Sequence, residues 1–215
     1  MTTQQVPDDE AVPALSRVQR KRGRRIQEIL TVAAELLGER GYEAVSLDDV
    51  AERLDVTKGS LYYYFSSKDE LGAAAIETLG NEWTSRLEEL PEVRTGSPGQ
   101  RLRALISAQV TVAVRDYPGV LRLFLVPDSW PPVLRSRIKE LRRRHDRLFR
   151  DILAEGVATG AFTVISLDTT LRCMHAAMTQ APMWYAKVRG NQLDTAVAEL
   201  TDTLMMLVGE APHRT

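Results

Sequence analysis

The chain has 215 residues, with 28 Lys and Arg against 29 Asp and Glu, three His and a single Cys, giving a formal net charge of -1. That balance argues against a protein that coats nucleic acid over its whole surface, and one cysteine, Cys173, rules out an intrachain disulfide framework. A composition of 44% hydrophobic and 27% charged residues is that of an ordinary globular protein, with no stretch approaching a membrane span and no basic-then-apolar leader, so a cytoplasmic protein without a membrane partner is expected.

Residues 1–16 carry two prolines and an acidic cluster and read as a disordered tail. Six of the nine residues from Arg17 to Arg25 are then basic and none is acidic. Arg22 and Arg24 are the candidates in this run for an arm that reaches phosphates or the minor groove, the alternative being a solvated helix start. From Ile26 the apolar positions Ile29, Leu30, Ala33, Leu36 and Leu37 share one helical face, and Gly41 supplies the stop.

The stretch from Ser46 to Leu71, SLDDVAERLDVTKGSLYYYFSSKDEL, reads as two short helices joined by a tight turn and followed at once by a third. Ser46 with Asp49 forms a capping pair, so a helix starts near Leu47. Asp55 tolerates the left-handed backbone that the turn requires, and Thr57 caps the second short helix, about Lys58 to Tyr64. That helix carries no acid. Three consecutive tyrosines make a poor core but a good surface for bonding phosphate oxygens and touching base edges, while Gly59 allows close backbone approach. Ser67 with Glu70 reads as a second capping box. Lys68 stands in a first helical turn, where a cation is disfavoured unless an anion lies nearby.

Over about Arg24 to Leu71 the chain resembles the TetR family DNA-binding segment, in the run GYEAVSLDDVAERLDVTKGSLYYYFSSKDEL. It departs from the family pattern at Asp55, where Gly is usual. The resemblance implies that Lys58, Gly59, Ser60, Tyr62 and Tyr63 face the major groove of a double-stranded DNA operator, with Tyr64 and Lys68 on phosphates. Ser46 and Thr57 complete the candidate DNA-contacting set.

Past Lys68 a long helix carries Leu71, Ala75, Leu79, Trp83, Leu87 and Leu90 on one face until PEVRTGSPG, expected to be a loop. A helix opens at Ser97-Pro98. Tyr117-Pro118-Gly119 marks a corner into the short apolar run VLRLFLV, which PDSWPP stops. From about Val133 to Ala158 a long helix places Leu134, Ile138, Leu141, His145, Leu148, Phe149 and Ile152 inward, with Arg142, Arg143, Arg144 and Arg147 largely outward. In the last two helices, Leu167, Leu171, Met174, Met178, Ala181 and Tyr185, then Leu193, Val197, Leu200 and Leu204, step like heptad seams. Two such seams can pack on each other and leave a face for a second copy. Leu171, Tyr185, Leu193, Val197, Leu200 and Leu204 are therefore the expected homodimer contacts, and Pro182 is expected to kink its helix.

The fold class is all-α: an N-terminal three-helix helix-turn-helix domain over 17–67 and a larger effector-binding and dimerisation domain over 68–211, about nine helices in all. No strand pattern competes. His145 and His175 stand singly, no metal-ligand spacing or phosphate loop is present, and neither a metal, a cofactor nor catalysis is expected. Phe124, Trp130, His145, Phe149, Met174, Met178, Met183 and Trp184 form a candidate lining for a hydrophobic small-molecule effector, although the same set also reads as plain core. The Arg-rich helix and the Trp184-Tyr185 pair are similar to TetR-type regulators of lipid and sterol catabolism that sense acyl-CoA esters. By that resemblance Arg142, Arg143, Arg144 or Arg147 would supply cations for the phosphates. Two functions fit: a homodimeric ligand-responsive repressor of a palindromic operator, or a constitutive DNA-binding or architectural protein whose C-terminal region only dimerises.

Overall fold

The computed structural model describes residues 16–115 and 130–209, and within them nine α-helices account for the architecture. The tail over residues 1–15, the helix after Gly119 and the candidate ligand contact Phe124 lie outside the described residues.

Helix α1 (Arg17–Arg40) begins nine residues before the expected apolar start, because Ser16 and Gln19 close a reciprocal capping box. The basic run is therefore the first two turns of a helix and not an extended arm. Its cations face an unfavourable helix dipole, and the helix is held by burial of Ile29, Leu30, Ala33, Leu36 and Leu37 further along. α2 (Leu47–Arg53) starts at the Ser46/Asp49 box, and the carboxyl of Asp49 lies below its usual range chiefly because of its bond with the Ser46 side chain. Asp55 has φ of 52°, the left-handed turn expected of it, and Thr57 caps α3 (Lys58–Tyr64).

α4 (Lys68–Glu88) departs from expectation at its cap. The Ser67 hydroxyl accepts from the Glu70 amide at 3.1 Å, but the Glu70 carboxylate reaches the amide and hydroxyl of Ser66 instead of Ser67, so no reciprocal box closes at Ser67. The expected loop after Leu90 contains a further helix, α5 (Pro91–Thr95), started by a proline whose missing N–H is no loss at the first position. α6 (Pro98–Arg115) follows, then α7 (Pro132–Ala158), α8 (Leu167–Trp184) and α9 (Asn191–Met205), which runs into a 3₁₀ turn, Met206–Val208. Pro182 stands in the last turn of α8, where it ends the helix instead of kinking its middle.

Two cores form. The first gathers α1 to α3 around Leu37, Val50, Leu61 and Phe65, extends into α4 through Leu71, Ala75 and Ile76, and takes in Trp130, Leu134 and Ile138 from the start of α7. The boundary expected at 67/68 thus falls inside the stretch that shares this core. The second core centres on α6, which packs against α5, α7, α8 and α9. The seams of the last two helices could have packed on each other. Both instead pack mainly on α6, whose apolar face carries Leu102, Leu105, Ile106 and Val110.

Candidate DNA-reading surface and effector cavity

Short polar side chains set the first site. The hydroxyls of Ser46 and Thr57 accept from the amides of Asp49 and Ser60, so both residues position α2 and α3. On α3, Tyr63 is 71% and Tyr62 46% exposed, while Leu61 is fully buried and anchors the helix from behind. Tyr64 is half-buried against the first core with its ring edge-on to Tyr63. Lys58 pairs with Asp48 and lies 5.9 Å from the Tyr62 ring centre. Gly59 and Ser60 are exposed, and a side chain at Gly59 would meet nothing.

The first turns of α1 return to this surface: the Arg22 guanidinium stands 5.8 Å from the centre of the Tyr63 ring, and Arg24, two residues on, is exposed. Arg22, Tyr63, Tyr62 and Lys58 therefore make one continuous cationic and aromatic surface from two helices distant in sequence. Lys68 has another environment. Its ammonium lies 4.3 Å from the Tyr42 ring centre and donates to the Glu43 carbonyl at 3.2 Å, which accounts for a cation in the first turn of α4 without an external anion.

The second site is a half-open cavity of about 490 Å³ lined by α4, α6, α7 and α8. Leu79, Gly80 and Trp83 contribute one wall, Gln109 and Val112 a second, Leu141, Arg142 and His145 a third, and His175, Ala176 and Thr179 a fourth. Inside, the Trp83 indole N–H donates to the buried Gln109 side-chain oxygen at 3.0 Å. His145 and His175 meet edge to face at 5.5 Å and both stack near Phe149. Burial pushes His145 down to about 3, with the neighbouring His175 adding to the effect, and lowers His175 as well despite Asp146 beside it.

Among the described residues of the expected lining, only His145 reaches this cavity. Phe149, Met174 and Met178 are at most 1% exposed and fill the second core. Trp130 belongs to the first core, and Met183 and Trp184 are 65% and 55% exposed on the outer surface. Arg142 also departs from its outward assignment: it is half-buried on the cavity wall, and burial lowers its guanidinium. The other arginines of α7 have partners, Arg144 with Glu88 at 2.9 Å and Arg143 and Arg147 with Glu140. The helical period of α4 already put Leu79 and Trp83 on one face; what it lacked was that Gly80 and Thr84 leave room beside them.

Of the expected dimer contacts, Leu171, Val197, Leu200 and Leu204 are buried in the chain's own second core, Leu193 is buried as well, and Tyr185 is half-buried. Among the described residues no group of three or more metal-ligating side chains occurs, and no helix is long and apolar enough to cross a membrane.

A family model described as "Bacterial regulatory proteins, tetR family" matches residues 29–75, and one described as "Tetracyclin repressor-like, C-terminal domain" matches residues 95–207. The transcriptional activator FasR of Mycolicibacterium smegmatis is 28% identical over 157 residues, 73% of this chain and 66% of its own length. The transcriptional repressor KstR2 of the same organism is 26% identical over 187 residues, 83% of each chain. Among solved structures, the regulator FadR of Bacillus subtilis in complex with stearoyl-CoA shares the fold, with a TM-score of 0.69 at 18% identity over 85% of this chain and 98% of that one.

Proposed function

Because the chain belongs to the tetR family of bacterial regulatory proteins, we propose that it is a homodimeric repressor that binds a palindromic operator through α2 and α3 and is released by an amphipathic small molecule. In this reading residues 17–67 read DNA and residues 68–211 bind the effector and dimerise. Lys58, Gly59, Ser60, Tyr62 and Tyr63 enter the major groove, with Arg22, Arg24 and Tyr64 on phosphates. The cation-rich start of α1, disfavoured by its own dipole, gains from a phosphate placed against it.

One observation carries the ligand-responsive reading over a constitutive one. α4 and α7 each run from the first core into the cavity wall: Ile76 and Leu79 are one turn apart on α4, as are Ile138 and Leu141 on α7. An occupant that moves either helix moves part of the DNA-reading core with it, provided it binds the non-reading arrangement better. KstR2 supports repression by its name, and the stearoyl-CoA complex supports a lipid-like effector with an anionic group. The second copy is assigned to the outward faces of α8 and α9, where Met183, Trp184, Met206 and Leu207 stay exposed.

The test is selection of genomic fragments by the purified protein, followed by titration of the recovered operator in the presence of lipid-like anions. A two-fold symmetric site released by such a compound is expected. Binding without sequence preference, or an operator that no such compound releases, gives the constitutive reading instead.

A further inference from the structure

The inside of the cavity is too polar for a purely apolar occupant. The Trp83 indole N–H donates to the side-chain oxygen of Gln109, which leaves the Gln109 Nε2 amide as a donor for an occupant of the cavity that Gln109 lines. His145 Nδ1 and His175 Nε2 are buried without a hydrogen-bond partner. Asp146, at 3.6 Å from His175 Nε2, is too far to supply one. Buried polar atoms are normally satisfied, so the two imidazole nitrogens facing each other across the cavity from α7 and α8 point to an oxygen atom that the protein itself does not contain, with the Gln109 amide lining the same cavity from α6. Burial keeps both imidazoles neutral, and each then offers one N–H and one lone pair, which suits an uncharged hydroxyl or carbonyl oxygen.

The charge lies close by. Arg142 precedes His145 by three residues on α7, so the two side chains leave the helix one turn apart on the same face, with roots about 5–6 Å from each other. It lines the same cavity, is half-buried, and among the described residues has no carboxylate partner, unlike Arg143, Arg144 and Arg147. The apolar part of the lining comes from Leu79, Val112 and Leu141, and the lining also holds Glu82, Arg86, Lys139 and Asp146.

Resting on the reading of this cavity as the effector site, we infer that its ligand is an apolar-tailed free organic acid with a hydroxyl or carbonyl oxygen a few bonds from the acidic group. Arg142 takes the anion, His145, His175 and Gln109 enclose the uncharged oxygen, and the tail lies along Leu79, Val112 and Leu141. A plain fatty acid satisfies the first contact and leaves the second empty. A neutral hydroxy ester does the reverse.

Calorimetric titration of the full chain with dodecanoate, 3-hydroxydodecanoate, methyl 3-hydroxydodecanoate and dodecanoyl-coenzyme A tests this. The hydroxy acid should bind about tenfold tighter than dodecanoate and about tenfold tighter than its own methyl ester, one hydrogen bond or charge contact being read in each comparison. His145→Phe should abolish the first preference and keep the second, and Arg142→Gln should do the opposite. His175→Phe serves as an independent variant of the first kind, and cooperative melting of each shows that it folds. Equal binding of acid and hydroxy acid by the wild type, preferences that survive both His variants, or a thioester preferred over the hydroxy acid and indifferent to His145→Phe would overturn the inference. If acids bind and release operator without these preferences, only the inference falls. If no arm binds a chain that still holds operator, the effector reading falls with it.

Discussion

The indole of Trp130 lies against the phenol ring of Tyr42, with ring centres 5.0 Å apart and planes tilted by 51°. Tyr42 sits in the loop between α1 and α2, and Trp130 immediately precedes the start of α7, so this pair ties the DNA-reading core to a helix that also lines the cavity. The contact is reinforced from both sides: the Tyr42 hydroxyl donates to Asp69 at the start of α4, and Lys68 covers the other part of its ring. Gly72 lets the Tyr42 ring approach α4 closely, since a methyl group there would come within 3.3 Å of it, whereas Leu134 and Trp130 would stand at ordinary contact distances.

Removing the indole should therefore act on stability and not on ligand contact. Trp130→Ala is expected to lower unfolding free energy by about 3–5 kcal/mol, the usual cost of deleting a large buried aromatic. Ligand affinity measured under native conditions should be unchanged. A variant as stable as wild type but impaired in ligand binding would return Trp130 to the cavity lining.

Operator binding should weaken steeply with salt and depend on the surface shared by α1 and α3. Arg22→Ala is expected to reduce the log-log salt slope by roughly 0.9, as one phosphate contact is lost, while weakening all operator sequences about equally. Tyr62→Phe combined with Tyr63→Ala should lower specific affinity with the melting temperature preserved, because both side chains are exposed. Unchanged operator affinity in that folded double variant would sink the assignment. Lys68→Met should behave differently, lowering stability while leaving the salt slope intact.

The buried histidine predicts a direction of acid sensitivity. His145 falls to about 3 in the folded chain against an ordinary value near 6.5, so between these values the unfolded chain binds the extra proton. The neutral form's stability is fully present above about pH 6.5 and is lost progressively as pH falls toward 3, with a slope of up to about 1.4 kcal/mol per pH unit from this group. Denaturant melts of wild type and His145→Phe across pH 4.5 to 7.5 should diverge in slope, the variant being flatter. Parallel pH profiles would show that His145 does not titrate this way.

The buried seam of α9 makes a sharp prediction about oligomerisation. Leu200→Lys or Leu204→Glu puts a charge into the core between α6 and α9, at a cost on the order of 4 kcal/mol, and should abolish cooperative melting instead of releasing folded monomers. Trp184→Glu together with Met206→Glu, on the exposed faces, should give folded monomers by sedimentation. A folded monomer from Leu200→Lys would restore the seam to the dimer contact.

Local chemistry was enough for the helix-turn-helix. Ser46, Asp55 and Thr57 act within a few residues of chain, through caps and a left-handed turn, and their effects are therefore legible in sequence order. The all-α class is likewise a matter of helical period, which each segment carries on its own. Periodicity says that one face of a helix is apolar, but not what covers it. Met174, Met178, Leu200 and Leu204 have the same signature whether they meet a ligand, a second copy or α6, and only the packing of α8 and α9 on α6 decided for core. The cavity arises for the complementary reason. Gly80, Gln109, Arg142, His145 and His175 are unremarkable on four separate helices, and their polar atoms become conspicuous only where those helices converge and exclude water.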